Sequence, residues 1–328
     1  MVAPSLWDDH YRQDFAEIIN FQLDFARIIH EHENVVIIAD KHTIPYLDGR
    51  VPSISKRLPY DALIEENLYD PNINNYAPVG FKSLVKFVYR VDEYADLSAK
   101  QIDDGINRFM MENHIHVDKR EIEMALSGEN LVENGVNRAL VSKSVLQLNS
   151  GHVPEWAAMI KLLNAFKKAI VINHPSPNST HHFNDLMTFI DDDILAVSGL
   201  NEQERLRLES ELYSKVRDDI MVTDLSFANE LERGGTCGLY TAALVTNKFI
   251  YLPVYGSNPE NWKHGFSTMT DKMMLHMVEA NTRKRVIPVK IPRSFCRRGL
   301  SLKSIAWTVK GNAAEQIISI PRKRFAIV

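Results

Sequence analysis

Gly299-Leu300-Ser301-Leu302-Lys303-Ser304-Ile305-Ala306-Trp307-Thr308 is the stretch on which the reading of this chain turns. A glycine opens it, and two polar side chains, Lys303 and Ser304, interrupt a run that is otherwise mostly apolar. The pattern predicts the end of a loop that runs into a buried strand over residues 304–309.

Working outward, short apolar, β-branched runs recur along the rest of the chain. They lie at residues 35–39, 84–89, 139–142, 169–173, 194–198, 219–223, 249–255, 285–290 and 317–320. Continuous runs of this length read as strands buried on both faces. Helical patterns lie between them. Residues 7–32 place Phe15, Ile18, Ile19, Leu23, Phe25, Ile28 and Ile29 on one broad face. Pro154 suits the first turn of a helix that carries Trp156, Met159, Ile160, Leu163 and Phe166. Residues 201–218 carry only a thin leucine stripe among charges and predict a surface helix. Residues 267–284 set Met269, Met273, Met274, Met277 and Val278 at helical spacing, which reads as core filling. Strands and helices alternate to the end with no Pro/Gly/Ser-rich linker, so the expectation is one α/β domain over 1–328. The same alternation suits a nucleotide-binding sheet, but no Gly-x-Gly-x-x-Gly follows the first strand and no Gly-Lys-Ser/Thr occurs.

Composition narrows the class. The chain has 328 residues, 45% hydrophobic and 24% charged, which suits a globular protein with a sizeable core. A formal net charge of -4 with mixed signs does not favour a nucleic-acid surface. The basic end, residues 321–328, reads as a solvated terminus. Two cysteines, Cys237 and Cys296, make no disulfide framework and fit a reducing compartment. No apolar run approaches the ~20 residues of a membrane span, and no signal-peptide pattern opens the chain. A cytoplasmic protein with no membrane partner is expected, with a homodimer as the common oligomer.

The opening stretch resembles the C-terminal motif of the agmatine deiminase and bacterial-type peptidyl-arginine deiminase family, roughly Gly-Gly-x-Leu-His/Asn-Cys-Ile-Ser/Thr-Trp. Ser304 stands at the position of the family's nucleophilic Cys, and Lys303 at that of the His or Asn. Four further segments carry the resemblance in the same order. Residues 70–79, Asp70-Pro-Asn-Ile-Asn-Asn75-Tyr-Ala-Pro78-Val79, are similar to Asp-x-Trp-x-Arg-Asp-Phe-x-Pro-Val, with Asn75 in place of the functional Asp. By itself, Pro71-Asn-Ile-Asn-Asn is a turn sequence. Ser127-Gly128-Glu129-Asn130 is similar to Asp/Glu-Gly-Gly-Asn, and the following Asn134-Gly135 is an ordinary hairpin signal. His181-His182-Phe183-Asn184-Asp185 resembles the family's acid/base segment, with His182 on the His and Asn184 replacing an Asp. The paired histidines also invite a metal site with His174 or Asp185, but no further ligand cluster accompanies them. Phe249 to Gly256 matches a strand that ends in Pro-x-Phe/Tyr-Gly.

The resemblance implies a pentein, an α/β propeller of five ββαβ units in pseudo-fivefold arrangement around a central pocket. It implies no cofactor and no metal. It places His182 and Ser304 in catalytic positions, and Asp70, Asn75, Ser127, Glu129, Asn184 and Lys303 around the substrate. Family chemistry uses a thiolate to attack a guanidinium, and carboxylates to grip this planar, permanently charged fork. Three acids and the thiol are replaced here and a lysine is gained, so the expected ligand is a small neutral or anionic molecule. Three functions stay open: a non-catalytic relative that binds a small molecule or a partner protein, an enzyme of changed chemistry built on Ser304 and His182, and a deiminase that recruits Cys296 or Cys237 as substitute thiol.

Overall fold

The computed structural model describes residues 1–51, 57–80, 83–90, 97–226, 235–257 and 267–325, apart from the side chains of Tyr60, Asp218 and 322–325. The chain opens with Val2 bridged in parallel to Ile38, and between them runs helix α1 (Phe15–His30). This helix is shorter than the sequence pattern suggested, because the chain before Phe15 is a series of turns that leaves Trp7 exposed. Its expected face is buried at Phe15, Ile18, Ile19, Leu23, Phe25 and Ile29. Strand β1 (Ile37–Ala39), the short helix α2 (Ile44–Leu47) and strand β2 (Leu63–Glu65) complete the first unit, β1 pairing in parallel with β2.

The next four units repeat one plan: an antiparallel hairpin, a helical crossover, then a parallel strand. In the second, Val79 bridges antiparallel to strand β3 (Val85–Val88), and helix α3 (Leu97–Glu112) leads to the parallel strand β4 (Lys119–Ala125). The third has the hairpin β5 (Leu131–Glu133) and β6 (Arg138–Ser142), helices α4 (Ser144–Asn149) and α5 (Glu155–Ala165), and strand β7 (Lys168–Ile172). Gly135, at φ +71°, turns that hairpin as the Asn-Gly pair predicts. The fourth has β8 (Met187–Phe189), β9 (Ile194–Val197), helix α6 (Glu202–Val216) and β10 (Met221–Asp224). The fifth has β11 (Leu244–Val245), β12 (Phe249–Val254), helix α7 (Thr268–Ala280) and β13 (Arg285–Lys290). Helices α8 (Arg293–Arg297) and α9 (Gly311–Phe325) follow. The ring closes where the Val2 amide donates to the Ile305 carbonyl, 3.1 Å. Apolar residues from strands and crossover helices fill the space between neighbouring units. The largest such cluster joins α1 to the fifth unit and to Leu300, Leu302 and Ile305.

Several expectations are corrected. Residues 304–309 form no strand: the opening stretch makes a tight turn and then runs out as irregular chain. Residues 317–320 lie in α9, where Ile317 and Ile320 are buried on one helical face. A short apolar run fits helix or strand equally well, and here the longer 311–325 pattern decides. Of the apolar positions expected in the core of α7, Met274 and Val278 are buried, while Met269 and Met273 face outward. In α5 the expected core face is partly exposed, Trp156 at 69%. The two cysteines are joined as a disulfide, Cys237–Cys296, against the expectation of free thiols. Two cysteines 59 residues apart carry no spacing signal, so only the fold could bring them together. The basic side chains of residues 322–328 lie outside the described residues.

Candidate active site

Two tight turns build the floor of the site. Asp70 accepts the Asn72 amide N–H at 2.7 Å, an Asx turn that leads into the 3-10 turn Ile73–Asn75. A second 3-10 turn, Gly128–Asn130, presses against it. A Cβ at position 128 would lie 1.9 Å from the Asn74 carbonyl oxygen, so only glycine allows this contact.

Glu129 is the hub. Asn75 Nδ2 donates to its Oε2 at 3.4 Å, and His182 Nδ1 lies 3.6 Å from the same oxygen. His182 is exposed at its outer face, whereas Glu129 is buried. Burial raises the Glu129 carboxyl above its ordinary range; His182 opposes the rise, and the negative charges of Asp185 and Asp70 add to it. Burial likewise raises Asp70, against its hydrogen bonds from Asn72. The His182 amide donates to Asp185 Oδ2 at 3.2 Å, fixing the loop that carries both.

Asn184 and Ser304 converge on the same place but are spent on structure. Asn184 donates its side-chain amide to the Gly128 carbonyl at 3.1 Å, while its backbone amide donates to the Glu129 carbonyl at 2.9 Å. A carboxylate in this orientation would set lone pair against lone pair with the Gly128 carbonyl. Ser127 is buried, with an Oγ that has no hydrogen-bond partner among the described residues. Ser304 is bound into its own turn. Its Oγ accepts the Ser301 amide at 2.9 Å and donates to the Ser301 carbonyl at 3.2 Å, while its amide donates to Ser301 Oγ at 3.0 Å. The Ser304 carbonyl then accepts the Asn74 amide, 3.0 Å, which fastens this turn to the first one. Sequence reasoning missed Ser301, although Ser-x-x-Ser is the spacing of a reciprocal cap. It also missed Trp307, whose indole N–H donates to the Pro78 carbonyl at 3.0 Å and anchors the stretch.

No family model matches the sequence, and no curated protein matches it either. Solved structures do. The C. jejuni agmatine deiminase superposes with a TM-score of 0.69 at 17% identity, covering 94% of this chain and 92% of its own. The Enterococcus faecalis agmatine deiminase gives 0.65 at 16% identity, covering 93% and 90%. A dimethylarginine dimethylaminohydrolase gives 0.52 at 10%, covering 93% and 96%. The chain has the pentein fold.

Within this pentein, Lys303 does not point at Glu129 and His182. Its ammonium donates to the carbonyls of Asn184 and of Met187, the latter at 3.1 Å, and forms part of the wall of a cavity on the propeller axis. Burial pulls it down to about 8, and Asp185 resists. Neither cysteine supplies a thiol, since Cys237 and Cys296 are buried in their disulfide. Among the described residues no group of three His, Cys, Asp or Glu side chains comes together as a metal site. No helix among them is long and apolar enough to cross a membrane.

Proposed function

We propose that this pentein binds a small amine- or amino-acid-derived molecule at the Glu129–His182 cleft without hydrolysing a guanidine group. The observation that carries the reading is the state of Ser304. Its hydroxyl is held by the Ser301 backbone on both its donor and acceptor sides. A serine needs an adjacent base to attack, and among the described residues none hydrogen-bonds to it. A C. jejuni agmatine deiminase in which a cysteine is replaced by serine, with substrate bound, superposes at TM-score 0.68, 18% identity, covering 92% of this chain and 90% of its own. That structure supports the idea that a protein of this fold holds a ligand after a cysteine-to-serine change.

The ligand's charge follows from which side chains face the cleft. The expectation of a neutral or anionic ligand counted Lys303 as a cleft residue. With its ammonium on the Asn184 and Met187 carbonyls, the remaining charges are those of Glu129, Asp70 and Asp185, partnered by His182. An ammonium about 4 Å from one such carboxylate gains roughly 4 kcal/mol before desolvation, at an effective dielectric of about 20. Calorimetric titration with agmatine and a panel of amines and amino acids tests the proposal. Saturable binding that Glu129→Gln weakens about tenfold, with no ammonia or ureido product released, is expected. Ammonia release on the scale of turnover, or binding indifferent to Glu129→Gln, would overturn it.

A further inference from the structure

A cavity lined by neither Glu129 nor His182 adjoins the cleft and shares Asn74 and Asn184 with its floor. Strand β5 begins near the cleft, after Gly128–Asn130, and ends in the hairpin turn at Asn134-Gly135. That turn, Gly80, Ser83, the turn at Thr246-Asn247 and the residues leading into α9 line an axial cavity of about 330 Å³. Three lysines line it: Lys284, Lys303 and Lys310. Its carboxylates are Asp118 and Glu133. Asp118 is already occupied, paired with His116 Nε2 at 3.3 Å and accepting the Leu84 amide at 2.7 Å.

Lys284 donates to the Thr246 carbonyl at 2.9 Å, and Lys310 to the Gly135 carbonyl at 3.0 Å. An ammonium has three donors, so each keeps two beyond these bonds. Lys284 and Lys310 also repel one another, adding to the burial that lowers Lys284, while Asp191 and Asp192 act in the opposite sense. Residues Gly311, Asn312 and Ala313, the first turn of the 15-residue α9, line the same cavity. Amides at a helix N-terminus have no partner within the helix and favour negative charge.

We propose that the axial cavity binds a small oxyanion, phosphate- or carboxylate-bearing, between Lys284 and Lys310 at the first turn of α9. Such a ligand relieves the repulsion between the two ammonium groups and takes up donors from three sides. Glu133 is an exposed residue of the lining and attracts Lys310, so the oxyanion competes with its carboxylate for that ammonium. The volume sits at the low end of ligand pockets, roughly 300–1,000 Å³, which suits a compact metabolite. The site is independent of the amine reading, since neither Lys284 nor Lys310 touches Glu129 or His182.

Thermal-shift and calorimetric titration at constant ionic strength, with inorganic phosphate and with citrate, provides the test. A saturable rise in melting temperature with either probe is expected, and a response to one alone identifies its chemistry. Lys310→Met and Lys284→Met weaken binding at least tenfold, whereas Lys310→Arg retains most of it and serves as the folding control. Agmatine binding stays unchanged in Lys310→Met, so failure of the cleft reading and failure of this one are separate results. No response to either probe, or equal affinity in Lys310→Met and Lys310→Arg, overturns the proposal.

Discussion

At the scale of single residues, Glu129 faces opposed demands. It is buried beside Asp185 and Asp70, with only His182 and the Asn75 amide in its favour, and its carboxyl is raised accordingly. A carboxyl whose folded value lies above its ordinary one stabilises the fold while protonated. That contribution is full below the ordinary range and is lost as pH climbs through the folded value. Glu129→Gln therefore raises stability at neutral pH by on the order of 1 kcal/mol, the size common for single substitutions, while it weakens amine binding. Denaturant melts from pH 4 to 8 should show the variant's advantage shrink as acid is added; a variant less stable than the parent at pH 7 would refute this. Sequence order was enough to bring Asn75, Glu129, His182 and Asn184 to one place, because each lies at a fixed offset from a turn or strand. Side-chain direction was not legible. Lys303 and Ser304 are neighbours in sequence, yet one reaches the axial cavity and the other folds back on Ser301. That choice depends on which carbonyls the chain entering β8 leaves open, a tertiary fact.

At the scale of elements, long periodic segments were readable and short ones were not. Helix α6 was marked by its charged face and by Asn201, which forms a reciprocal cap with Glu204. Strands β2, β5, β8 and β11 span two or three residues each, too few for any periodicity to show. The Cys237–Cys296 bond belongs to this scale too, since it fastens the loop before Leu239 to α8, immediately ahead of the Gly299 stretch. The Thr236 amide donates to the Cys296 carbonyl at 2.9 Å along the same seam. Closing a loop of 59 residues removes chain entropy worth about 4 kcal/mol from the unfolded state. Reduction, or a Cys237→Ser/Cys296→Ser double change, should lower stability by about 2–5 kcal/mol. The check is a denaturant melt with and without dithiothreitol. Identical midpoints in wild type and double variant, both unreduced, would show that the bond does not form in solution.

At the scale of the whole molecule, the order of motifs along the chain fixed the architecture where identity alone, at 17% to the C. jejuni agmatine deiminase, is thin. A propeller of small sheets depends on ties between units, because each sheet has only two or three strands. One tie joins the β8–β9 turn to the segment between α7 and β13. Asp191 accepts from Arg283 Nη2 at 3.1 Å, from the Arg283 amide at 2.8 Å and from the Thr282 hydroxyl at 3.4 Å. Burial acts to raise the Asp191 carboxyl, but the Arg283 bonds outweigh it and hold it at about 2. A depressed carboxyl stabilises the fold above its ordinary value, near 3.8, and loses that contribution as pH falls through about 2. Arg283 is 80% exposed at its side chain, so water screens its charge and the tie is worth less than a buried pair. Asp191 also keeps its backbone and hydroxyl donors when the guanidinium is removed. Arg283→Ala is therefore expected to lower stability only modestly at pH 7, and the difference from wild type should close between pH 4 and 2. Asp191→Ala, which strips the acceptor from all three donors at once, should cost more than Arg283→Ala at pH 7. Urea melts of both variants across that range check the ordering, and an Arg283→Ala deficit that persists unchanged at pH 2 would show that the guanidinium acts through packing instead of charge.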